Sequence, residues 1–203
     1  LGKKIIVTGA SRGLGAETCQ ALAKRGAHIA MLSRSKKEME KIKRRMQNSS
    51  NHISIKADFL NNKSINNAFN KAIKFLKKID IVIHIAGGGF GLKDILIKNN
   101  DLRTLFQVNL GAAVELNRLV VNTKKKNDNL KLVHVGSITS VEAVGSVGYN
   151  IAKAALASYV KSLGRELYKK KILVTGILPG GFIASGNSME RLKKKNLKNY
   201  KRF

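Results

Sequence analysis

The amino-acid sequence predicts an α/β protein with a Rossmann-like, doubly wound parallel sheet. Short β-branched apolar runs alternate with amphipathic stretches of helical length, and a glycine-rich turn follows the first run. Strands are predicted at 4–8, 28–33, 52–56, 79–85, 131–135 and 172–178. Helices are predicted at 13–25, 35–47, 64–76, 101–123 and 149–168. No linker or repeat divides the 203 residues, so we expect a single domain over 1–203.

The charge is strongly one-sided, with 39 Lys and Arg against 12 Asp and Glu. The basic residues are spread over nearly every predicted helix, which favours solvated lysine faces, with anionic cofactors or substrates as the alternative. Nucleic acid is not expected as a partner, because there is no DNA- or RNA-reading motif and aromatic residues make up only 5% of the chain.

Cysteine usage and hydropathy narrow the cellular setting. Cys19 is the single cysteine, so no internal disulfide can form. No apolar stretch is long enough to cross a bilayer and no signal peptide is visible, so we expect a soluble, cytoplasmic protein. No histidine, cysteine or acidic residues fall at ligand spacing, so no metal is expected.

The first loop reads Thr8-Gly-Ala-Ser-Arg-Gly-Leu-Gly15, between a predicted strand and a predicted helix. Its glycines allow a tight turn and let a pyrophosphate approach the N–H groups at the helix N-terminus without interference from Cβ atoms. The loop therefore predicts a dinucleotide site. Its expected cofactor-binding residues are Gly9, Ser11, Arg12, Gly13, Leu14 and Gly15.

The end of the second strand bears on the choice of cofactor. NAD-binding domains usually carry a carboxylate there for the ribose 2′-hydroxyl, whereas this chain has Ser33, Arg34 and Ser35. A guanidinium can bind a 2′-phosphate through two parallel hydrogen bonds, so Arg34, with Arg12 in the neighbouring loop, favours NADP(H). The alternative is that Arg34 is a solvated arginine at the start of a helix.

Tyr149 and Lys153 open the helix that follows the fifth predicted strand. Residues four apart share a helix face, so the ammonium can lie close to the phenol. We expect the positive charge to lower the tyrosine pKa from about 10, toward the range in which the phenol exchanges a proton with an alcohol or carbonyl oxygen.

The TGxxxGxG turn and the YxxxK pair together resemble the short-chain dehydrogenase/reductase family, over nearly the whole chain as far as Pro179. The resemblance implies that Ser137 holds the reacting oxygen, that Lys153 also binds the nicotinamide ribose, and that Asn109 holds a water in a proton relay. It places Asp58 near the adenine, although ordinary loop or helix capping is the alternative there. It implies further cofactor contacts from Ala86, Gly87, Pro179 and Gly180.

The chain departs from this family's pattern in four respects. Ser137 precedes Tyr149 by twelve positions rather than thirteen, so Ser140 and, less favoured, Thr139 are the fallback candidates. Ile85 replaces an asparagine that ties neighbouring strands together, which leaves His84 as a strand-end polar group. Ala184 replaces a nicotinamide-contacting threonine, and Ser185 could compensate. No seventh strand is visible, so we expect either a fragment or a six-stranded sheet with an uncovered edge.

These features predict an NADP(H)-dependent oxidoreductase that moves hydride between nicotinamide and a carbonyl or alcohol carbon, with Tyr149 as proton donor or acceptor. A sugar or nucleotide-sugar of a surface glycan is the first expected substrate, and a 3-oxoacyl group on an acyl carrier protein is the alternative. A non-catalytic NADP sensor or scaffold is the alternative from another class. The family resemblance also implies a homodimer or homotetramer through helices 101–123 and 149–168.

Overall fold

The computed structural model describes residues 2–126, 128–183 and 188–197. It contains a six-stranded parallel sheet in the order β3-β2-β1-β4-β5-β6, which confirms the predicted α/β, Rossmann-like fold. The strands are β1 (Lys4–Thr8), β2 (His28–Ser33), β3 (His52–Lys56), β4 (Ile81–His84), β5 (Leu130–Val135) and β6 (Ile172–Ile177). The strand order reverses between β1 and β4, and ligands of such sheets bind outside the carboxyl ends of the strands at this point.

Seven α-helices lie in the described ranges: α1 (Gly13–Lys24), α2 (Lys36–Arg44), α3 (Asn62–Leu76), α4 (Asn99–Phe106), α5 (Ala112–Thr123), α6 (Val147–Leu167) and α7 (Ser188–Lys195). The helix predicted at 101–123 is interrupted, because a π-helical turn over Gln107–Gly111 separates α4 from α5. Single π-turns of this kind occur frequently at functional sites. None of the described helices combines the length and the apolarity that a membrane span requires.

Strand β4 is shorter than the predicted run 79–85. At its carboxyl end, the backbone N–H groups of Ile85 and Ala86 both donate to the Thr8 hydroxyl oxygen, each over 3.1 Å. The chain therefore leaves the ladder at His84, and a side chain of β1 rather than a strand carbonyl receives its next two donors.

The helices cover the sheet in two layers. On one face, a large apolar cluster joins alternate residues of all six strands to α3, α5 and the end of α6. On the other face, a smaller cluster packs α1 and α2 against β1 and β2, and it includes the fully buried Cys19. Burial raises the pKa of this thiol to about 12. Strands buried on both faces explain why the apolar runs show no polar alternation.

Strand β6 lies at one edge of the sheet, next to β5. Its residues Leu173 and Ile177 are 55% and 52% exposed, in contrast to the buried side chains of β1 and β2. Strand β6 is thus an edge strand, and the face that carries these two side chains is uncovered within the part of the chain that the structure describes.

Lys171, which precedes β6, offers a test of the backbone conformation there. It has φ 55° and ψ 38°, in the left-handed region, and its side chain is exposed. Because glycine adopts this region without a Cβ clash, we expect Lys171→Gly to raise the free energy of unfolding by up to about 1 kcal/mol. Urea denaturation measures this difference. Lys170→Gly, one residue earlier within the preceding 3₁₀ turn, is the matched control and should lower stability; equal losses in both variants would contradict the assignment.

Candidate active site

The glycine turn after β1 packs closely against the loop that follows β4. Gly9 has φ 71°, and a Cβ atom there would lie 2.8 Å from the backbone nitrogen of Ala86. A Cβ on Gly15 would collide with the carbonyl oxygen of Gly9. The backbone N–H of Gly9 donates to the carbonyl oxygen of Leu32 over 2.8 Å, which joins the turn to β2. These two glycines are therefore required by the packing of the turn itself.

The N-terminus of α1 is open to an anion. Arg12 is the N-cap residue, its side chain makes no capping hydrogen bond, and the first turn carries no acidic residue. The first turn, Gly13-Leu14-Gly15, has two residues without Cβ atoms, and its N–H groups lie at the positive end of the helix dipole. This arrangement fits the pyrophosphate of a dinucleotide. Ser11 belongs to the same turn, and its hydroxyl oxygen accepts a hydrogen bond from the Ser33 hydroxyl over 2.8 Å.

Beyond β2, Arg34 is exposed and lies over the ring of Phe90, with 6.0 Å between its Cζ atom and the ring centroid. Phe90 has φ 53° and is the second residue of a tight turn closed by the Leu92 N–H donating to Gly89. A left-handed conformation is uncommon for a bulky residue. Within the described ranges, neither Arg12 nor Arg34 forms a salt bridge, so the guanidinium edges can bind phosphate. The sequence analysis missed Phe90, although the surrounding glycines indicated a turn.

Asp58 makes local hydrogen bonds after β3. Its Oδ1 atom accepts from the backbone N–H of Leu60 over 3.1 Å, and its own N–H donates to the Ser64 hydroxyl over 2.9 Å. This is the loop-capping role that the sequence analysis gave as the alternative to a contact with adenine.

Lys153 is deeply buried, with 3% of its surface exposed. Its ammonium donates a hydrogen bond to the carbonyl oxygen of Val135 over 3.1 Å and lies 5.7 Å from the centroid of the Tyr149 ring. Burial lowers the pKa of Lys153 to about 8. Helix α6 thus brings the predicted pair together, and the end of β5 supplies the partner of the ammonium.

Tyr149 differs from the sequence prediction in the direction of its pKa. Burial raises the pKa of Tyr149, and a side-chain hydrogen bond with Ser137 offsets only part of this effect. The expectation that Lys153 lowers it is wrong for this structure, because desolvation of the phenolate outweighs the favourable contacts. The phenol therefore keeps its proton at neutral pH.

Among the candidate hydroxyls, Ser137 is the one whose side chain lowers the pKa of Tyr149, and it therefore lies near the phenol. Its Oγ atom also accepts from the backbone N–H of Thr139 over 3.2 Å. The Ser140 hydroxyl instead donates to the carbonyl oxygen of Ser137, and the Thr139 hydroxyl is buried without a hydrogen-bond partner. The interval of twelve residues therefore still brings Ser137 to Tyr149.

Asn109 lies in the π-helical turn and is buried, with 2% of its surface exposed. Its amide holds Gly88 from both sides: Oδ1 accepts from the Gly88 N–H over 2.9 Å, and Nδ2 donates to the Gly88 carbonyl over 3.0 Å. Nδ2 also donates to the carbonyl oxygen of Leu105 over 2.9 Å. The side chain thereby fixes the backbone of the loop after β4.

Gly87 is the point at which Asn109 and Lys153 meet. A Cβ atom there would lie 2.7 Å from the Asn109 Oδ1 atom and 3.4 Å from the Lys153 Nζ atom. Ala86, one residue earlier, is held by the Thr8 hydroxyl. Thr8 connects β1 to the end of β4 beside Ile85, and the sequence analysis did not anticipate this contact.

The loop after β6 borders the same site. The carbonyl oxygen of Pro179 accepts from the backbone N–H of Ile138 over 3.0 Å, next to Ser137. Gly180 is exposed, with no atom within 4 Å of a Cβ built on it. Ala184 and Ser185 lie outside the described residues. No group of three metal-ligating side chains occurs within the described ranges.

An open helix N-terminus at the topological switch of a doubly wound sheet, with a buried Lys153 and the half-buried Tyr149 and Ser137, defines a Rossmann-type oxidoreductase. The family model for short chain dehydrogenases matches residues 3–196. The chain therefore belongs to the short-chain dehydrogenase family, as its sequence motifs indicated.

Individual relatives agree with this membership. The chain is 31% identical to a 3-oxoacyl-(acyl-carrier-protein) reductase of Buchnera aphidicola, covering 98% of this chain and 80% of that protein. It is 26% identical to carbonyl reductase family member 4 of Xenopus tropicalis, covering 88% of this chain and 75% of that one. A crystal structure of a short-chain dehydrogenase/reductase from Caenorhabditis elegans superposes with a TM-score of 0.86 at 25% identity, covering 96% and 78% of the two chains. The protein is an oxidoreductase acting on CH–OH or C=O groups.

The buried ammonium of Lys153 predicts a pH-dependent difference in stability. Its folded-state pKa of about 8 lies below the ordinary lysine value of about 10.4, so between these pH values the unfolded chain binds a proton that the folded protein does not. The stability of the wild type therefore rises with pH across this window. We expect Lys153→Met to be more stable than the wild type at pH 7, on the order of 1–3 kcal/mol.

This advantage of Lys153→Met should disappear as the pH approaches about 10.4, because both proteins then lack the buried charge. Chemical denaturation at several pH values measures the difference. Lys161→Met, at an exposed position of the same helix, is the control for loss of a lysine. A constant difference between the wild type and Lys153→Met from pH 7 to pH 10 would contradict the assignment.

Proposed function

We propose that the protein transfers hydride between NADP(H) and a carbonyl or alcohol carbon, with Tyr149 exchanging the proton at the reacting oxygen. The observation that carries this proposal is the buried Lys153 ammonium, which donates to the Val135 carbonyl and lies 5.7 Å from the Tyr149 ring centroid, with Ser137 near enough to lower the pKa of Tyr149. The Lys153 ammonium lies at the carboxyl end of β5, and Ser137 follows the same strand. Hydride transfer is the chemistry that a bound nicotinamide supplies, and the protein contributes placement and electrostatics.

The residues around the α1 N-terminus would hold the cofactor. The uncapped first turn at 13–15 would bind the pyrophosphate. Because Gly9 has no side chain, the backbone of the turn lies directly against the backbone of Ala86. Arg34 favours NADP(H) over NAD(H), because its guanidinium edge can bind a 2′-phosphate while Phe90 covers its face.

In the direction of carbonyl reduction, Tyr149 would be the proton donor. A phenol that keeps its proton at neutral pH can donate it to the oxygen that gains negative charge. The Ser137 hydroxyl would hydrogen-bond the same oxygen and stabilise its developing charge. The Lys153 ammonium would bind the nicotinamide ribose, and Asn109 would support the proton supply by keeping Gly88 and its loop in place.

The substrate class favoured by the relatives is a 3-oxoacyl thioester. The Buchnera relative is a 3-oxoacyl-(acyl-carrier-protein) reductase, and a bovine relative of 26% identity carries the same name. Exposed apolar side chains occur on the two loops that flank Tyr149, at Ile95, Leu96 and Val141, and they suit an acyl chain. The net charge of +27 suits an acidic carrier protein. A sugar or nucleotide-sugar remains the second candidate, since the same charge suits its phosphates.

A homodimer through the outer faces of α5 and α6 is proposed as the assembly. Val114 on α5 and Ile151 on α6 are 39% and 41% exposed, so each helix presents an apolar residue that a second copy could cover.

Replacing Tyr149 tests the proton step. NADPH oxidation is followed with a 3-oxoacyl pantetheine thioester, a keto sugar and an α-diketone as alternative substrates. We expect Tyr149→Phe to lower kcat about 10²- to 10⁴-fold and to leave the Kd for NADPH nearly unchanged, because the ring remains and only the proton donor is lost. Tyr168→Phe, at an exposed position beyond α6, is the control and should keep full activity. Tight NADPH binding by the wild type with no turnover of any of these substrates would instead favour a non-catalytic NADP sensor or scaffold.

Replacing Arg34 tests the cofactor preference. We expect Arg34→Ser to weaken NADPH binding about 10-fold or more and to leave NADH binding nearly unchanged, because only NADPH carries the 2′-phosphate. Titration of nucleotide fluorescence gives both dissociation constants. Arg25→Ser, which removes an arginine at the far end of α1, controls for the loss of general positive charge. If wild-type protein binds NADH as tightly as NADPH, the proposed preference is wrong.

A further inference from the structure

Four polar side chains form a cluster in the helix-covered layer behind the site: His84, Asn117, His134 and Tyr159, called here the histidine cluster. The His84 Nε2 atom lies 2.8 Å from the Asn117 Oδ1 atom. The Asn117 Nδ2 atom lies 3.3 Å from the His134 Nε2 atom and donates to the Tyr159 hydroxyl oxygen over 3.1 Å. The two imidazole rings stack with their centroids 4.4 Å apart. One amide therefore links three aromatic groups from three different elements.

The cluster is expensive to bury, which argues that it has a specific role. His134 is fully buried, and Asn117 and His84 are 2% and 6% exposed. Burial lowers the pKa of His84 to about 4 and that of His134 to about 2, so both rings are neutral at physiological pH. Apolar residues would fill the same layer without this desolvation cost. Polar networks of this kind, when hydrogen-bonded, fix a single arrangement of the elements that contribute to them.

On the strand side, the cluster joins β4 to β5 just before the loops of the site. His84 and His134 are neighbours in the parallel register. Val135, the residue after His134, supplies the carbonyl oxygen that accepts from Lys153, and Gly88, four residues after His84, is held by Asn109. By stacking, His84 and His134 hold the carboxyl ends of β4 and β5 next to each other. The distance between the Lys153–Val135 contact and the Asn109–Gly88 contact depends on how these two strand ends are placed.

On the helix side, the cluster joins α5 to α6. Asn117 lies two helical turns beyond Asn109, and Tyr159 lies on the helix that carries Lys153 and Tyr149. A cavity of about 10 Å³, no larger than a single water, is lined by both His84 and Asn109 together with Val135. The histidine cluster and the site therefore border the same cavity, and a displacement of α5 would change the contacts of both.

We infer that the histidine cluster is a positioning element for the site, which clamps β4 and β5 to α5 and α6 and thereby holds the Lys153 ammonium against the Val135 carbonyl. None of its members is one of the proposed catalytic groups, so they act through the backbone of β5 and the placement of the two helices. The inference deepens the proposed function, because the residues it positions are those that the function requires.

A metal site is the alternative reading of two adjacent histidines. The stacked rings each turn one nitrogen toward Asn117, and their parallel faces point at each other rather than at a shared centre. Within the described ranges no third ligating side chain joins them. The arrangement serves hydrogen bonding and stacking.

Asn117→Leu, which removes the bridging amide at similar volume, tests the inference. The ionisation of Lys153 is followed by NMR of ¹³C-labelled lysine side chains in the protein without nucleotide, with its signal assigned from Lys153→Met. Within the described ranges, the titratable side chains that face the Lys153 ammonium are His134 and Tyr149. The wild-type midpoint is expected at about 8. In Asn117→Leu we expect it to rise by roughly one pH unit or more, because a displaced ammonium regains water.

Val120→Ala is the matched control, since Val120 is a buried residue of the same helix outside the cluster. It should destabilise the fold without moving the Lys153 midpoint. Tyr159→Phe removes a single hydroxyl and should give a smaller shift in the same direction, which keeps the test available if Asn117→Leu does not fold. An unchanged midpoint in the cluster variants, or an equal shift in Val120→Ala, overturns the inference. This titration measures no turnover, so its outcome does not depend on the proposed reductase activity. Failure of that activity would appear only in the NADPH oxidation assays.

Discussion

The site depends on one buried charge and the backbone carbonyl that accepts its hydrogen bond. The Lys153 ammonium is withdrawn from water and held by the Val135 carbonyl, while the sheet, the π-turn and the loop after β4 close around it. An ammonium in such a place costs stability, and proteins retain a cost of this kind where the charge has a function. Tyr149 shares the same dry surroundings, so its proton is held for an acceptor that has to enter the site. Burial therefore sets both the position and the protonation of the pair.

Much of this arrangement could be predicted from the sequence, because it is local. A strand, a glycine turn and a helix follow one another within residues 4–24, and the chemistry of glycine at φ 71° is readable without any distant partner. Tyr149 and Lys153 share a helix face at a spacing fixed by helix geometry. The parallel sheet with helices on both faces also followed from the alternation of strands and helices, whereas the order of the strands comes from the structure.

What could not be predicted depends on contacts between distant segments. The direction of the Tyr149 pKa is decided by how completely the surrounding loops exclude water, and no spacing rule encodes that. Asn117 gives no motif, because its meaning comes from His84 and His134, which the fold brings to it from two strands. Phe90 reaches Arg34 across two loops, and the Thr8 hydroxyl accepts from two backbone donors at the end of β4. In each case the sequence gives the residue type, but the residue that it contacts is known only from the structure.

Chemical modification of Cys19 could report how often helix α1 separates from the sheet. Its sulfur is fully enclosed between α1 and the sheet, and the thiol stays protonated because burial raises its pKa to about 12. A thiol in that state is inert toward disulfide reagents and electrophiles until the helix lifts away. Since no second cysteine competes for label, the rate of modification would measure how often the layer beneath the glycine turn separates from β1. A nucleotide bound at the N-terminus of α1 would slow the modification of Cys19, so the modification rate would report how much of the nucleotide site is occupied.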